Sequence, residues 1–406
     1  MDVDSTVQSL VAREASGAAE AVTKLSDEGA TATLALAAEL LAERSDGVLA
    51  ANRADLDVAD LDAGALDRLR LDDVRLAAIG DQLRVMAELP PLEREVASWT
   101  LPNGLLVSER RIPIGVVGAN FEARPNVAVD VAAQLLKSRN AGVLRTGGAA
   151  LRTVTALVDD VLRPALERAG LPPAAIGLVR TADREGARAL VSLPRLVPLV
   201  ILRGSGATTA ALARLAAEQG VRTLAHAEGG GVLYLHEGAD PEKARALIRA
   251  SLDRLGVCNR LNLLAVDRTA PGLSALVREE LEALEIEPTA ERGHEWANEE
   301  DRIATVTVTE VAGIDEALRV AHGDSSGLAA AIVTEDEEAA RAFLDGYRGT
   351  AAFWQATTRF TDGFALTGAP ETGINVDWTP GPRGPVTYRD LWLRQYRVIG
   401  DGTQRR

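Results

Sequence analysis

Ile112-Pro113-Ile114-Gly115-Val116-Val117 is an apolar run of strand length, and the residues beyond it decide the fold. Gly118 through Pro125 read as a loop, and Asn126 to Lys137 carries its apolar side chains at helical spacing. The succession then returns. Ala141 to Leu144 reads as a second strand, closed by Arg145-Thr146-Gly147-Gly148 and followed by a long helix to about Ala169. Ile176 to Val179 and Val197 to Leu202 continue it, the latter opening into Arg203-Gly204-Ser205-Gly206 ahead of another alanine-rich helix. Strands alternating with helices predict an α/β fold with a parallel, doubly wound sheet. Glycines directly after a strand and before a helix let a pyrophosphate reach the helix N-terminus, although ordinary turns use the same residues.

Upstream, Thr6 to about Glu88 is rich in Ala and Leu with charged residues at helical spacing, which predicts several amphipathic helices. Pro90 and Pro91 end that pattern. Trp99 to Val107 comes next, with Asn103-Gly104 between β-favouring residues as a hairpin signal. Downstream, Val232 to Leu235 leads into a helix over 241–255, a strand over 261–266 and a helix over 273–284. Strands near Thr305 to Val308 and Ala329 to Val333 and a helix over 336–346 complete a second α/β unit. The tail from Gly368 is rich in Gly and Pro and ends in the strand-forming stretch Leu391 to Val398. The expected domains are therefore 1–232, including a hairpin at 96–112 suited to oligomerisation, then 233–367, then a C-terminal segment 368–406.

Composition narrows the function. The chain has 406 residues, 47% of them hydrophobic, which suffices for ordinary cores. A net charge of -15 argues against a nucleic-acid partner, whose binding needs a basic surface. No apolar run approaches the roughly 20 residues that span a bilayer, so no membrane partner is expected. Met1-Asp2-Val3-Asp4 lacks the start of a secretory signal, and one cysteine forms no internal disulfide; a cytoplasmic location is the expectation. His226, His236, His294 and His322 form no ligand pair or cluster, so no metal site is expected.

That one cysteine, in Leu255-Gly256-Val257-Cys258-Asn259-Arg260, sits between a helical pattern and an apolar strand pattern. A thiolate there could attack an acyl carbon and leave a thioester, with turn N–H groups near a developing oxyanion. A lone cysteine is also compatible with a small buried hydrophobe.

Four pieces resemble the γ-glutamyl phosphate reductase branch of the aldehyde dehydrogenase superfamily. They are Arg111 to Gly118 with Phe121-Glu122-Ala123-Arg124-Pro125-Asn126-Val127; Leu136 to Ala141; Gly256-Val257-Cys258-Asn259; and Thr358-Arg359-Phe360-Thr361-Asp362-Gly363. The resemblance implies a Rossmann-type cofactor domain, an α/β catalytic domain and a small oligomerisation hairpin. It also implies NADPH-dependent reduction of L-glutamyl 5-phosphate to glutamate 5-semialdehyde, a step of proline biosynthesis, through a thioester on Cys258. The Cys258 N–H and the Asn126 side-chain amide would stabilise the oxyanion, unless Asn126 caps its helix. Arg359, Asp362, Arg124 and Asn259 would meet the substrate, Arg359 as the holder of a carboxylate or phosphate; a salt bridge and, for Asp362, a turn cap are the structural alternatives. Arg145, Gly147, Gly148, Gly204 and Ser205 would meet the cofactor. Glu228 lies where related dehydrogenases keep a general base, which a reductase preserving its thioester does not need.

The sequence departs from the family in three places. Leu144 to Ala150 lacks the usual lysine, so Arg145 or Arg152 would have to favour NADP(H), and NAD(H) stays an alternative. Gly323 to Ala330 and Gly373 to Pro380 lack residues the family carries near the substrate. A paralogue acting on a different ω-acyl phosphate is thus the second reading, and an inactive scaffold the third. A homo-oligomer and an upstream amino-acid kinase are the expected partners.

Overall fold

The computed structural model describes residues 5–61, 63–204, 206–226, 229–293, 304–377 and 381–405. The chain forms two compact units: 1–225 with 369–373 and 386–406, and 226–368 with 374–385. The first unit ends ahead of the expected 232, so the strand after it belongs to the second. The tail is divided between them.

The first unit holds β1 (Glu95–Thr100), β2 (Leu106–Pro113), β3 (Val116–Phe121), β4 (Ala141–Thr146), β5 (Ile176–Leu178), β6 (Leu199–Arg203) and β7 (Arg222–His226). The expected strand 112–117 is in fact the end of one strand and the start of another. Gly115 has φ of +120°, a conformation that breaks the ladder and that glycine adopts without a Cβ penalty. Its N–H donates to Asn140 Oδ1 at 3.0 Å, and its carbonyl accepts from Ala141 N at 3.0 Å. One apolar run therefore feeds two sheets.

The larger sheet has the order β5-β4-β3-β6-β7, with β3 parallel to both β4 and β6. All six residues of β3 and all six of β4 are buried, the pattern expected of parallel strands covered on both faces. The helices α1 (Ser5–Val22), α2 (Asp27–Glu43), α3 (Ser45–Leu56), α4 (Ala63–Leu69) and α5 (Asp73–Glu88) realise the N-terminal amphipathic pattern. Pro at the first turn starts α6 (Pro125–Lys137), which buries Val127, Val131, Leu135 and Leu136 in the main core with α2 and α5. The long helix after β4 is present, but it contains a π-helical turn at Leu157–Leu162.

β2 also lies in a three-stranded sheet between β1 and the C-terminal strand Trp392–Ile399, both antiparallel to it. Trp99, Leu106, Leu393, Tyr396, Val398 and Ile399 are exposed on this sheet. The hairpin and the terminal strand expected from sequence are thus neighbours through one central strand.

The second unit is a parallel sheet of β8 (Gly231–Leu235), β9 (Leu261–Asp267), β10 (Glu287–Thr289), β11 (Thr305–Val311), β12 (Ala329–Val333) and β13 (Ala351–Trp354). Their order is β10-β11-β9-β8-β12-β13. One apolar cluster includes Leu233, Ile248, Leu264 and Val277; another includes Val232, Tyr234, Ile332 and Phe343. Adjacent β8 residues fall into different clusters, as a two-residue side-chain period requires. Tyr234 Oη donates to Asp267 Oδ2 at 2.7 Å, tying β8 to the end of β9.

Candidate active site

In the second unit, the helix Pro241–Ser251 ends earlier than expected and leaves a longer connection to β9, on which Cys258 is half-buried. Gly256 turns the chain there with φ of +78°. The turn is gripped by the glycines before β8. Gly230 N donates to the Cys258 carbonyl at 2.6 Å, and Gly231 N donates to the Arg260 carbonyl at 2.7 Å. A Cβ on Gly229 would overlap the Cys258 carbonyl and stand 2.6 Å from its Cα. One on Gly231 would collide with Thr358. Only residues without side chains let these backbones approach so closely.

The side of the turn facing Leu328, Ala329 and Ile374 is apolar, with Ala351, Phe353 and Val376 at its margin. Cys258 is thus partly covered, not sealed as an inert core residue. The two segments that depart from the family pattern meet around it, Leu328 and Ala329 from one, Ile374 and Val376 from the other. Arg383 fastens the second of them to the segment before β13: Nε and Nη2 donate to Val376 O at 3.2 and 2.9 Å, and Nη1 to Arg348 O.

The residues expected to meet substrate beside Cys258 largely hold one another. Asn259 is buried; its Nδ2 donates to Arg359 O at 2.9 Å and Thr361 O at 3.1 Å, and its Oδ1 accepts from Arg359 Nη1. Arg359 Nε donates to Asp253 Oδ1 at 2.8 Å. Thr358 Oγ1 donates to Asn259 O at 3.0 Å, and Ser251 and Thr357 share a 2.7 Å bond. Asp362 accepts from Ala365 N at 3.1 Å and caps the helix Gly363–Thr367, the alternative left open by the sequence. Arg260 is fully buried, its Nη1 donating to Leu261 O and Thr305 O at 3.2 and 2.9 Å. Burial pushes its guanidinium down to about 10. Asp253, Arg260 and the glycines 229–231 were not singled out from sequence; the Gly-Gly-Gly run before an apolar strand was the available signal.

In the first unit, Asn126 lies inside the first turn of α6 and does not cap it. Arg124 is the N-cap and makes no side-chain cap bond. Asn126 Nδ2 instead donates to Asp130 Oδ2 at 3.1 Å. Arg145, expected at the cofactor, is buried: Nη1 donates to Asn120 Oδ1 at 3.2 Å and Nη2 to Asp183 O at 2.9 Å. Burial lowers its pKa, with Glu122 and Asp183 opposing the shift. Arg152, the other candidate, donates from Nη1 to Ala54 O at 2.5 Å. Arg145 is thus engaged through both Nη atoms within the unit, and the exposed Arg152 through Nη1. Gly147 has nothing within 4 Å of where a Cβ would stand, whereas one on Gly148 would meet Ala182 Cβ at 3.1 Å. One on Gly204 would meet the Glu122 carboxylate at 3.2 to 3.4 Å. Ser205 and Glu228 lie outside the described residues.

A doubly wound sheet with glycine turns at its strand ends, and a second parallel α/β unit presenting a half-buried thiol on a clamped turn, define a nucleophilic α/β enzyme. The chain belongs to the aldehyde dehydrogenase family, whose model matches residues 4–296. It is 37% identical over 422 residues to the gamma-glutamyl phosphate reductase of Chloroflexus aurantiacus, covering 97% of each protein. The crystal structure of gamma-glutamyl phosphate reductase from Thermotoga maritima matches with a TM-score of 0.89 and 27% identity, over 98% of this chain and 100% of that one. An engineered glycolyl-CoA reductase solved with bound NADP+ shares the fold, with a TM-score of 0.69, 16% identity and 96% of each chain covered. Among the described residues no helix is long and apolar enough to cross a membrane.

Proposed function

We propose that the chain reduces L-glutamyl 5-phosphate to glutamate 5-semialdehyde and phosphate, the reaction its relatives' names describe, as a step of proline biosynthesis. The observation that carries this reading is the half-buried thiol on a turn whose backbone is fixed by glycine contacts. As a thiolate, Cys258 attacks the acyl carbon, a C–S bond forms, and the C–O bond to phosphate breaks. NADPH, when bound, supplies the hydride that reduces the thioester. The oxyanion left on the substrate carbon then collapses, the C–S bond breaks, and the aldehyde departs as the thiolate is restored. The Cys258 N–H and the Asn126 amide are the proposed donors to that oxyanion.

Gly147 and Gly148 would hold the cofactor's pyrophosphate, the open approach at Gly147 fitting a close ligand. Gly204 and, by resemblance, Ser205 would border it. Arg145 is engaged at both Nη atoms and Arg152 at Nη1, which leaves Arg152 as the cation able to turn toward a 2′-phosphate, and NADP(H) and NAD(H) must be compared directly. Arg359 would hold a substrate anion by exchanging its half-exposed partner Asp253, a pair worth little in water. Asn259 positions the Thr358–Phe360 turn, and Arg124 borders Asn126. Asp362 acts through its cap.

A different ω-acyl phosphate is the second reading, favoured because the two divergent segments both pack around Cys258. One assay separates the readings. Purified protein is given glutamate 5-semialdehyde, phosphate and NADP+ or NAD+, and reduced cofactor is recorded. Phosphate-dependent turnover is the expected result; none with this aldehyde, but turnover of another semialdehyde, selects the second. The exposed apolar sheet supports a homo-oligomer. An amino-acid kinase would supply the acyl phosphate, in the cytoplasm.

A further inference from the structure

Asn126 and Asp130 are one helical turn apart on α6, so their side chains share a face. A primary amide beside an ionised carboxylate has one favourable orientation: its NH2 faces the carboxylate, because its own oxygen would be repelled. The 3.1 Å bond from Asn126 Nδ2 to Asp130 Oδ2 has that orientation. One amide hydrogen is engaged, and the direction of the other is fixed with it.

The carboxylate that does this is half-buried. Beside it is a cavity of about 10 Å³ whose walls include Ile79, Leu83, Met86 and Pro370, with Gln82 as the polar side chain from α5. Arg203, at the end of β6, is the charged group acting on it. The helix caps, ion pairs and glycine turns of this unit draw on other residues.

We propose that Asp130 is a positioning residue: its ionised carboxyl holds the Asn126 amide so that N–H, and not C=O, is presented to the oxyanion. The inference rests on the reading of Asn126 as an oxyanion donor. Burial raises the Asp130 carboxyl to about 6, with Arg203 and Asn126 opposing the rise. Above that pH the carboxylate accepts the amide N–H. Below it the carboxylic acid O–H can donate to Asn126 Oδ1, the amide turns over, and the donor is lost. The rate should therefore fall as pH drops through about 6.

The test is the phosphate-dependent oxidation assay from about pH 5 to pH 8 on wild type, Asn126→Ala, Asp130→Asn and Asp130→Leu. Melting temperature and the rate of Cys258 alkylation by iodoacetamide are measured in parallel. Asn126→Ala should lose about 10²-fold in kcat, the scale of one oxyanion donor. Wild type should lose about tenfold in kcat from pH 7 to pH 5, as one ionisation near 6 requires. Asp130→Asn, which keeps an acceptor and cannot ionise, should stay within about fivefold of wild type at pH 7 and lose that acid limb. Asp130→Leu should fall in kcat toward Asn126→Ala, with KM and alkylation rate little changed. An acid limb persisting in Asp130→Asn, or Asp130→Leu at the wild-type rate beside an impaired Asn126→Ala, overturns the positioning role alone. Wild-type activity in Asn126→Ala overturns the oxyanion reading and this inference together. If Asp130→Leu does not fold, the Asp130→Asn profile decides.

Discussion

The turn around Cys258 and the strand ends around Asn126 are held by different means. The first is fixed by main chain: glycines 229–231 lie where any side chain would collide, and the N–H groups of Gly230 and Gly231 clasp the carbonyls of Cys258 and Arg260. The second is fixed by side chains: Arg145 on Asn120, Asn126 on Asp130, Glu122 against Gly204. Main-chain clamps have no pH dependence and no tolerance for added atoms. Side-chain clamps tolerate substitution and change with protonation. In the roles proposed for them, the Cys258 thiolate must be held to fractions of an ångström and the Asn126 amide turned the right way, and the two devices suit those two tasks.

The comparison can be broken in several ways. Cys258→Ala should remove at least about 10⁴-fold of the activity with folding intact, as loss of a nucleophile does; residual turnover near wild type would end the enzyme reading. Gly229→Ala should cost about 3 kcal/mol in denaturant unfolding through overpacking and about 10²-fold in kcat/KM through misplacement of the sulfur. Unchanged kinetics there would mean the turn is not main-chain fixed. Asn259→Ala removes a buried amide that makes three hydrogen bonds to Arg359 and Thr361 and should cost about 2 kcal/mol in urea unfolding.

Asp130→Asn sharpens the contrast through stability. A carboxyl raised to about 6 in the fold binds more protons than in the unfolded chain between pH 4 and 6, so its ionisation destabilises the fold as pH rises. Asp130→Asn should then be more stable than wild type by on the order of 1–3 kcal/mol at pH 8 and by little at pH 4. A gain independent of pH would show that charge is not the cause. Asp253→Asn, at the half-exposed partner of Arg359, should change stability by no more than about 1 kcal/mol; a fall in KM with kcat kept would mark Arg359 as the anion holder.

The alternation of strands and helices after Arg111 predicted the parallel sheet because its period is local. The Cys258 turn was legible for the same reason. The split at Gly115 was not, because an apolar run is the same whether it enters one sheet or two. The cysteine stood out by being alone, and Asn126 by its motif. Asp253 and the glycines did not, because they act across turns or between strands, where spacing along the chain does not report which groups meet; Asp130, four residues after Asn126, was within reach of helical spacing and was passed over. The bonds of Arg145 were hidden in the same way: a cation after a strand suits a phosphate, and spacing does not show that Asn120 and the Asp183 carbonyl take its two ends.

The C-terminal strand Trp392–Ile399 completes the sheet that β2 begins almost three hundred residues earlier, each of its eight residues matched to one from Pro113 back to Leu106. During synthesis, β2 must therefore wait with one flank unsatisfied until that strand has emerged. A ribosome stalled before codon 392 would release a chain bearing an open, sticky β-edge, so quality control has reason to recognise incomplete copies of this protein quickly.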